Sequence, residues 1–163
     1  MNAPPQIHIQ KIPSGYRGTL KTVEHVSDLI KRGAKDFTVR QTAIDILLQR
    51  AVRPKDYLGE IKALFEWVQQ NIRYTKDTFR VEVLHSAKRM LELRAGDCDD
   101  MAILLGAMLE AIGHPVRLVL QRTRSAPARP LQSYLSGGLS QRPLDSARRH
   151  HALFNGLVVK STG

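Results

Sequence analysis

The chain has 163 residues, of which 42% are hydrophobic, which suits one packed domain and excludes wholesale disorder. It carries 25 Lys and Arg against 15 Asp and Glu, a formal net charge of +10. Its single cysteine excludes an internal disulfide framework and a multi-cysteine zinc site. No apolar run reaches the roughly 20 residues that cross a bilayer, and the first residues do not read as a secretory signal. We therefore expect a cytoplasmic protein with no membrane association.

The first half of the chain predicts helices after an extended start. Residues 1–17 alternate weakly between isoleucines and polar residues and contain three prolines, which predicts an extended arm with room for one edge strand. Spacing of 3.6 residues predicts a helix over 19–32, with Leu20 on its apolar face. Thr38 is the expected N-cap of a second helix, in which Leu48 faces inward.

The later elements are predicted from residues that typically begin or end a helix. Pro54 suits the start of a third helix, which turns Leu58 inward and places Trp67 beside the core. Ser86 is the expected cap of a short helix that ends near residue 93. An apolar helix then runs from about Cys98 to residue 112. Gly113 suits the position after it, and residues 116–120 predict a strand.

One segment carries a chemical signal, the run Gly96-Asp97-Cys98-Asp99-Asp100. Asp97 can cap the helix and place Cys98 in its first turn, where unpaired N–H groups and the helix dipole favour a thiolate nucleophile. The three aspartates act in the opposite direction, because nearby negative charge raises the pKa of a thiol. A buried cysteine that serves only as a small apolar side chain remains the alternative. A metal site is the weaker reading, because adjacent carboxylates on a helix diverge.

Around Cys98, residues 91–105 read LELRAGDCDDMAILL, and the chain continues through a Gly-x-Pro turn into the predicted strand. This segment resembles the nucleophile segment of the transglutaminase-like superfamily. Residues 65–74, FEWVQQNIRY, resemble the helix that precedes this segment in the family. The resemblance spans roughly residues 55–120. The sequence as a whole is similar to bacterial and phage-associated members of the family.

This resemblance implies an α/β, papain-like fold in which a cysteine-bearing helix packs on an antiparallel sheet that supplies histidine and aspartate. It implies acyl transfer or amide hydrolysis on a protein or peptide substrate, through a thioester and without a cofactor or a metal. Cys98 is the implied nucleophile, and Gly96, Asp97 and Asp99 support its turn. The family's histidine and aspartate strands have no counterpart after residue 120.

A shifted reading frame accounts for the missing strands. When residues 122–157 are back-translated and read one base later, the permitted peptides include Ser-His-Ile-Tyr-Leu-Glu and Arg-Trp-Ile-Pro-Leu-Asp-Ala-Thr. The histidine codon would straddle Ser133 and Tyr134, and the aspartate codon would straddle Arg148 and Arg149. The charge also changes here, since residues 121–163 hold seven cationic side chains and one acidic one. We infer a frameshifted segment, with an authentic basic tail as the alternative.

The resulting domain division is an arm over 1–17, a transglutaminase-like domain over 18–120 and a frameshifted, poorly ordered basic tail over 121–163. We expect the N-terminal helical half of the fold, mostly helical, with the sheet largely missing and apolar surface exposed on the Cys98 helix.

Without the family's histidine and aspartate we expect an inactive or very weak enzyme. His150 and His151 are the candidate substitute bases, whereas His85 and His114 suit caps or turns. The alternatives are a non-catalytic interaction domain or a nucleic-acid-binding module built on the tail. Nucleic acid is disfavoured because the tail offers few stacking aromatic residues. Oligomeric state is not predicted.

Overall fold

The computed structural model describes residues 6–76, 83–120, 149–154 and 157–162, with side chains described over 6–76 and 83–119. The helices described are α1 (Tyr16–Ala34), α2 (Phe37–Gln49), α3 (Tyr57–Asn71), α4 (Ala87–Leu93) and α5 (Cys98–Ala111). The strands described are β1 (Arg73–Tyr74), β2 (Ala95–Gly96), β3 (Val116–Leu120), β4 (Arg149–Phe154) and β5 (Leu157–Thr162).

Helix α5 is the centre of the core. Its residues from Asp100 to Leu109 are all buried, and α1 makes the most extensive helix contact with it. The two helices approach closely because Gly33 of α1 faces the methyl group of Ala107, and Gly106 of α5 faces Ile30. The expectation of exposed apolar surface on α5 is therefore wrong: helices α1 to α4 cover it together with the sheet.

The described strands form two small sheets. Strands β1 and β2 pair in parallel, with Arg73 opposite Ala95. Strand β5 lies between β3 and β4 and pairs antiparallel with both. The predicted class, a mostly helical part of an α/β fold, is confirmed. Strands β4 and β5 lie within the segment 121–163. The remainder of that segment lies outside the described residues, and its assignment to a frameshift stays a prediction.

Local capping chemistry was predicted correctly at three helix ends. Ser86 caps α4, Asp97 caps α5, and Gly113 follows α5 with φ of 99°. Two predicted starts are wrong. Helix α2 is capped by Asp36 rather than Thr38, because the Asp36 carboxylate accepts the N–H of Thr38. Helix α3 is capped by Asp56 and begins after Pro54, at Tyr57.

Three leucines predicted to face inward are exposed, namely Leu20, Leu48 and Leu58, with exposed fractions of 44%, 72% and 57%. Each lies on a helix whose buried face is narrower than the apolar pattern suggested. Helix α1 also begins at Tyr16, earlier than expected, and residues 6–15 contain no strand. The sequence of residues 74–84 predicts a loop or a short strand, and most of it, residues 77–82, lies outside the described residues.

In the part of the chain that the structure describes, no helix combines the length and the hydropathy needed to cross a membrane.

Candidate functional site

The turn between β2 and α5 presents Cys98 at the first helical position. The Asp97 carboxylate accepts the N–H groups of Asp99 and Asp100 at 3.0 and 3.1 Å. In return the Asp100 carboxylate accepts the N–H of Asp97 at 3.4 Å, which completes a reciprocal capping box. Cys98 therefore lies between two mutually bonded aspartates, and its backbone position is fixed from both sides.

Asp100 is completely buried, and His85 supplies most of its hydrogen bonds. The backbone N–H of His85 lies 2.7 Å from Oδ1 of Asp100, and Nδ1 of His85 lies 2.8 Å from Oδ2. A buried carboxylate is costly unless it is well hydrogen-bonded, and here three N–H groups converge on it. The segment before α4 is thereby joined to the first turn of α5.

Gly96 makes room for this carboxylate. A Cβ atom at residue 96 would lie 2.8 Å from Oδ2 of Asp100 and 2.6 Å from Cε of Met90, closer than real Cβ contacts allow. Gly96 is also buried within β2. The glycine of the predicted motif is thus required because the Asp100 side chain occupies the space beside it.

Strand β1 holds the other side of the turn. The N–H of Arg73 donates to the carbonyl of Arg94, and the N–H of Thr75 donates to the carbonyl of Gly96, both at 2.9 Å. Arg94 adopts a left-handed conformation with φ of 54°, and its guanidinium lies 4.7 Å from the centre of the Trp67 ring. This cation–π contact joins α3 to the loop that leads into Cys98.

The environment of the Cys98 thiol disfavours the thiolate. Burial, the negative charges of Asp99 and Asp97, and a hydrogen bond to Asp99 together raise the pKa of Cys98 to about 12. A backbone hydrogen bond acts in the opposite direction and is outweighed. The sulfur lies 3.5 Å from Oδ1 of Asp99, and none of the histidines whose side chains are described hydrogen-bonds to it. Burial and the acidic neighbours anticipated from the sequence therefore together outweigh the backbone hydrogen bond that favours the thiolate.

The remaining predicted residues lie on other elements of the fold. His150 and His151 lie on β4, opposite Ser161 and Lys160 of β5. His114 is buried and hydrogen-bonds to Glu60, so it does more than cap a helix.

The pairing of His85 with Asp100 was missed by the sequence analysis, because the two residues are fifteen apart and no local pattern links them. Among the described residues, no three His, Cys, Asp or Glu side chains cluster as metal ligands would.

These features define an α/β domain built around a cysteine at the start of its central, buried helix. The family model of the transglutaminase-like superfamily matches residues 47–153, and the chain belongs to this superfamily. No curated protein and no solved structure matches the chain significantly. The matched range begins within α2 and ends within β4, so it contains Cys98, His150 and His151 and leaves α1 outside.

Proposed function

We propose that Cys98 occupies the nucleophile position of a thiol-dependent acyl transferase or amide hydrolase, and that the chain as written has little or no activity. The environment of the thiol carries the second part of this proposal. With a pKa of about 12, on the order of one Cys98 in a hundred thousand is ionised at pH 7. The carboxylate of Asp99 beside the sulfur increases this cost.

In an intact enzyme of this class the thiolate sulfur attacks the amide carbonyl carbon. The C–N bond then breaks, the amine leaves with a proton supplied by the imidazolium, and a thioester remains on the cysteine. Water or a second amine next attacks the thioester and releases the thiol, which gives hydrolysis or transfer respectively. An imidazole must take the thiol proton first, and an aspartate must orient that imidazole. The resemblance places these two roles on strands that follow residue 120, and we infer that a frameshift has removed both residues from this sequence.

The scaffold around Cys98 supports the family role even without these partners. The capping box, the glycine at residue 96 and the β1–β2 pairing all fix the backbone of the turn. Such a rigid turn presents one side chain in a defined position, which is what a nucleophile requires. The chain thus retains the rigid turn that would position the nucleophile. The imidazole that would take its proton is missing from the described surroundings of Cys98.

The activity is tested on the full chain with p-nitrophenyl acetate, an activated ester that acylates reactive thiols. We expect no burst of nitrophenol at pH 7.5 and no acetyl group on Cys98 by mass spectrometry. The Cys98→Ser variant is the matched control and should behave identically. A stoichiometric burst that is lost in Cys98→Ser would overturn the proposed inactivity. The variants His150→Gln and His151→Gln would then show which histidine acts as the base.

The frameshift proposal is tested by sequencing the coding DNA across codons 115–163. A single-base correction near codon 121 that opens the histidine and aspartate strands would identify the native protein as a complete family enzyme. An unchanged sequence whose shifted frame still encodes those strands would identify a truncated relic. If the shifted frame encodes neither strand, the proposal is wrong. The basic tail is then a feature of the protein, and salt-dependent binding to nucleic acid becomes the property to measure.

A further inference from the structure

The turn that carries Cys98 depends on the Asp100 carboxylate. This group is the only part of the capping box that is completely buried in the described structure. Its position is set by the N–H of Asp97 on one side and by the N–H and Nδ1 of His85 on the other. Of these three donors, Nδ1 is the only one that belongs to a side chain, and so the one that a substitution can remove while the backbone N–H groups are kept.

We propose that His85 is a positioning residue for Cys98: its Nδ1–H holds the buried Asp100 carboxylate, and Asp100 holds the capping turn in which Cys98 lies. This inference rests on the proposed role of Cys98 as the nucleophile position. It assigns His85 a role that the family's histidine, which lies on the sheet, does not have.

The geometry favours positioning over proton transfer. Successive residues of an α-helix turn by about 100°, so Cys98 and Asp100 point to nearly opposite sides of α5. His85 lies on the Asp100 side, and its Nδ1 is engaged there. Its side chain is 28% exposed, whereas that of Asp100 is 1% exposed, so the imidazole covers the carboxylate from the solvent side. His85 therefore acts on the thiol only through Asp100 and the turn.

Removal of the Nδ1 donor has a defined consequence. A buried carboxylate that loses a charge-assisted hydrogen bond moves toward water or takes up a proton. Either response weakens its bond to the N–H of Asp97 and loosens the first turn of α5. Burial is the largest cause of the raised pKa of Cys98. A loosened turn exposes the thiol to water, so its pKa falls toward the ordinary value and its alkylation below pH 10 becomes faster.

The experiment measures the rate of alkylation of Cys98 by iodoacetamide from pH 7 to 11 in the full chain. Asparagine at residue 85 places its amide N–H₂ near the position of Nδ1, and glutamine places it near Nε2. The backbone N–H of residue 85 is kept in both variants. The exposed His8 provides the matched control, as His8→Asn. Circular dichroism and urea unfolding establish which variants are folded.

We expect His85→Gln to react on the order of tenfold faster than wild type at pH 8, which corresponds to a thiol pKa lower by about one unit. His85→Asn and His8→Asn should follow the wild-type profile. If His85→Gln fails to fold while His85→Asn folds with the wild-type profile, the requirement for the Nδ1 donor is equally supported. A wild-type profile in His85→Gln, an altered profile in folded His85→Asn, or unfolding of both variants would each overturn the proposal.

The readout separates this proposal from the proposed function. Alkylation reports the exposure and ionisation of the thiol and requires no catalysis. A burst of nitrophenol from the wild-type chain would contradict the proposed inactivity. It would not affect the expectation that His85→Asn keeps the wild-type alkylation profile. An alkylation profile that does not change when residue 85 is substituted would contradict the role of His85 and leave the nucleophile position of Cys98 unaffected.

Discussion

Glu60 and His114 join the start of α3 to the loop that follows α5, with Oε2 of Glu60 lying 2.7 Å from Nε2 of His114. Both side chains are largely buried, at 16% and 7% exposed. The ring of Tyr57 meets the imidazole edge to face, at 5.7 Å between centres. This cluster fixes the end of α5 that lies opposite Cys98, so the central helix is held by polar contacts at both ends.

Replacement of Glu60 should destabilise the fold. Glu60→Ala removes the acceptor of a largely buried hydrogen bond, so we expect the free energy of unfolding to fall by about 1–3 kcal/mol. Glu92→Ala is the matched control, because Glu92 pairs with Arg89 on the surface with 43% of its side chain exposed. An exposed ion pair contributes roughly 0–1 kcal/mol. Urea unfolding of both variants measures the difference. Equal losses would show that the Glu60–His114 contact stabilises the fold no more than an exposed ion pair does.

The contact between α1 and α5 should not tolerate a methyl group at residue 33. A Cβ there would lie 2.8 Å from the Cβ atoms of both Ala107 and Ala87, and neither methyl can move without its backbone. The steric overlap outweighs the roughly 1 kcal/mol by which alanine favours a helix over glycine. We therefore expect Gly33→Ala to lower the free energy of unfolding by about 1–3 kcal/mol. The double variant Gly33→Ala/Ala107→Gly should recover part of the loss. A more stable Gly33→Ala protein, measured by thermal unfolding, would contradict this packing.

Neutralisation of Asp99 should make the thiol more reactive. The charge of Asp99 and its hydrogen bond to the sulfur both raise the pKa of Cys98, so Asp99→Asn should lower it. Each unit of decrease increases the thiolate fraction at pH 8 by about tenfold. Iodoacetamide alkylation at pH 8 should accelerate accordingly, by several-fold or more. Asp28→Asn, at an exposed aspartate of α1, should leave the rate unchanged. A rate in Asp99→Asn equal to wild type would show that the carboxylate does not influence the sulfur.

The raised pKa of Cys98 also predicts a loss of stability in alkali. An unfolded cysteine ionises near pH 8.5, whereas the folded thiol keeps its proton until about pH 12. Between these values the folded state binds more protons than the unfolded state, so stability falls as pH rises. Other groups titrate in the same range, and Cys98→Ala isolates the contribution of the thiol. Between pH 8 and pH 11, the unfolding midpoint of wild type should fall further than that of Cys98→Ala. Parallel curves would contradict the raised pKa.

Features specified by neighbouring residues were predictable from the sequence. Asp97, Ser86 and Gly113 act within one helical turn, and short-range chemistry decides their roles. The start of α2 was misplaced because two polar residues compete there, and Asp36 rather than Thr38 has the extended backbone that a cap requires.

Contacts between distant segments could not be predicted. The bond from His85 to Asp100 and the stacking of Arg94 on Trp67 join residues whose separation along the chain follows no period. The same holds for the pairing of β1 with β2, two strands too short to show alternation. The capping turn at Cys98 was therefore predicted from its residues, whereas the contacts that support this turn required the three-dimensional structure.

The packing of α1 on α5 has a consequence for the synthesis of the protein. Helix α1 is made before α5, so its buried side chains, including Val26 and Ile30, meet that helix only after residues 35–97 have been added. At synthesis rates of about 5–20 residues per second, this delay lasts several seconds. During that interval the nascent chain presents an unpartnered apolar stripe outside the ribosome. Chaperones that bind nascent chains, or a slow folding step after α5 emerges, are the expected cost of packing α1 against a helix that is made so much later.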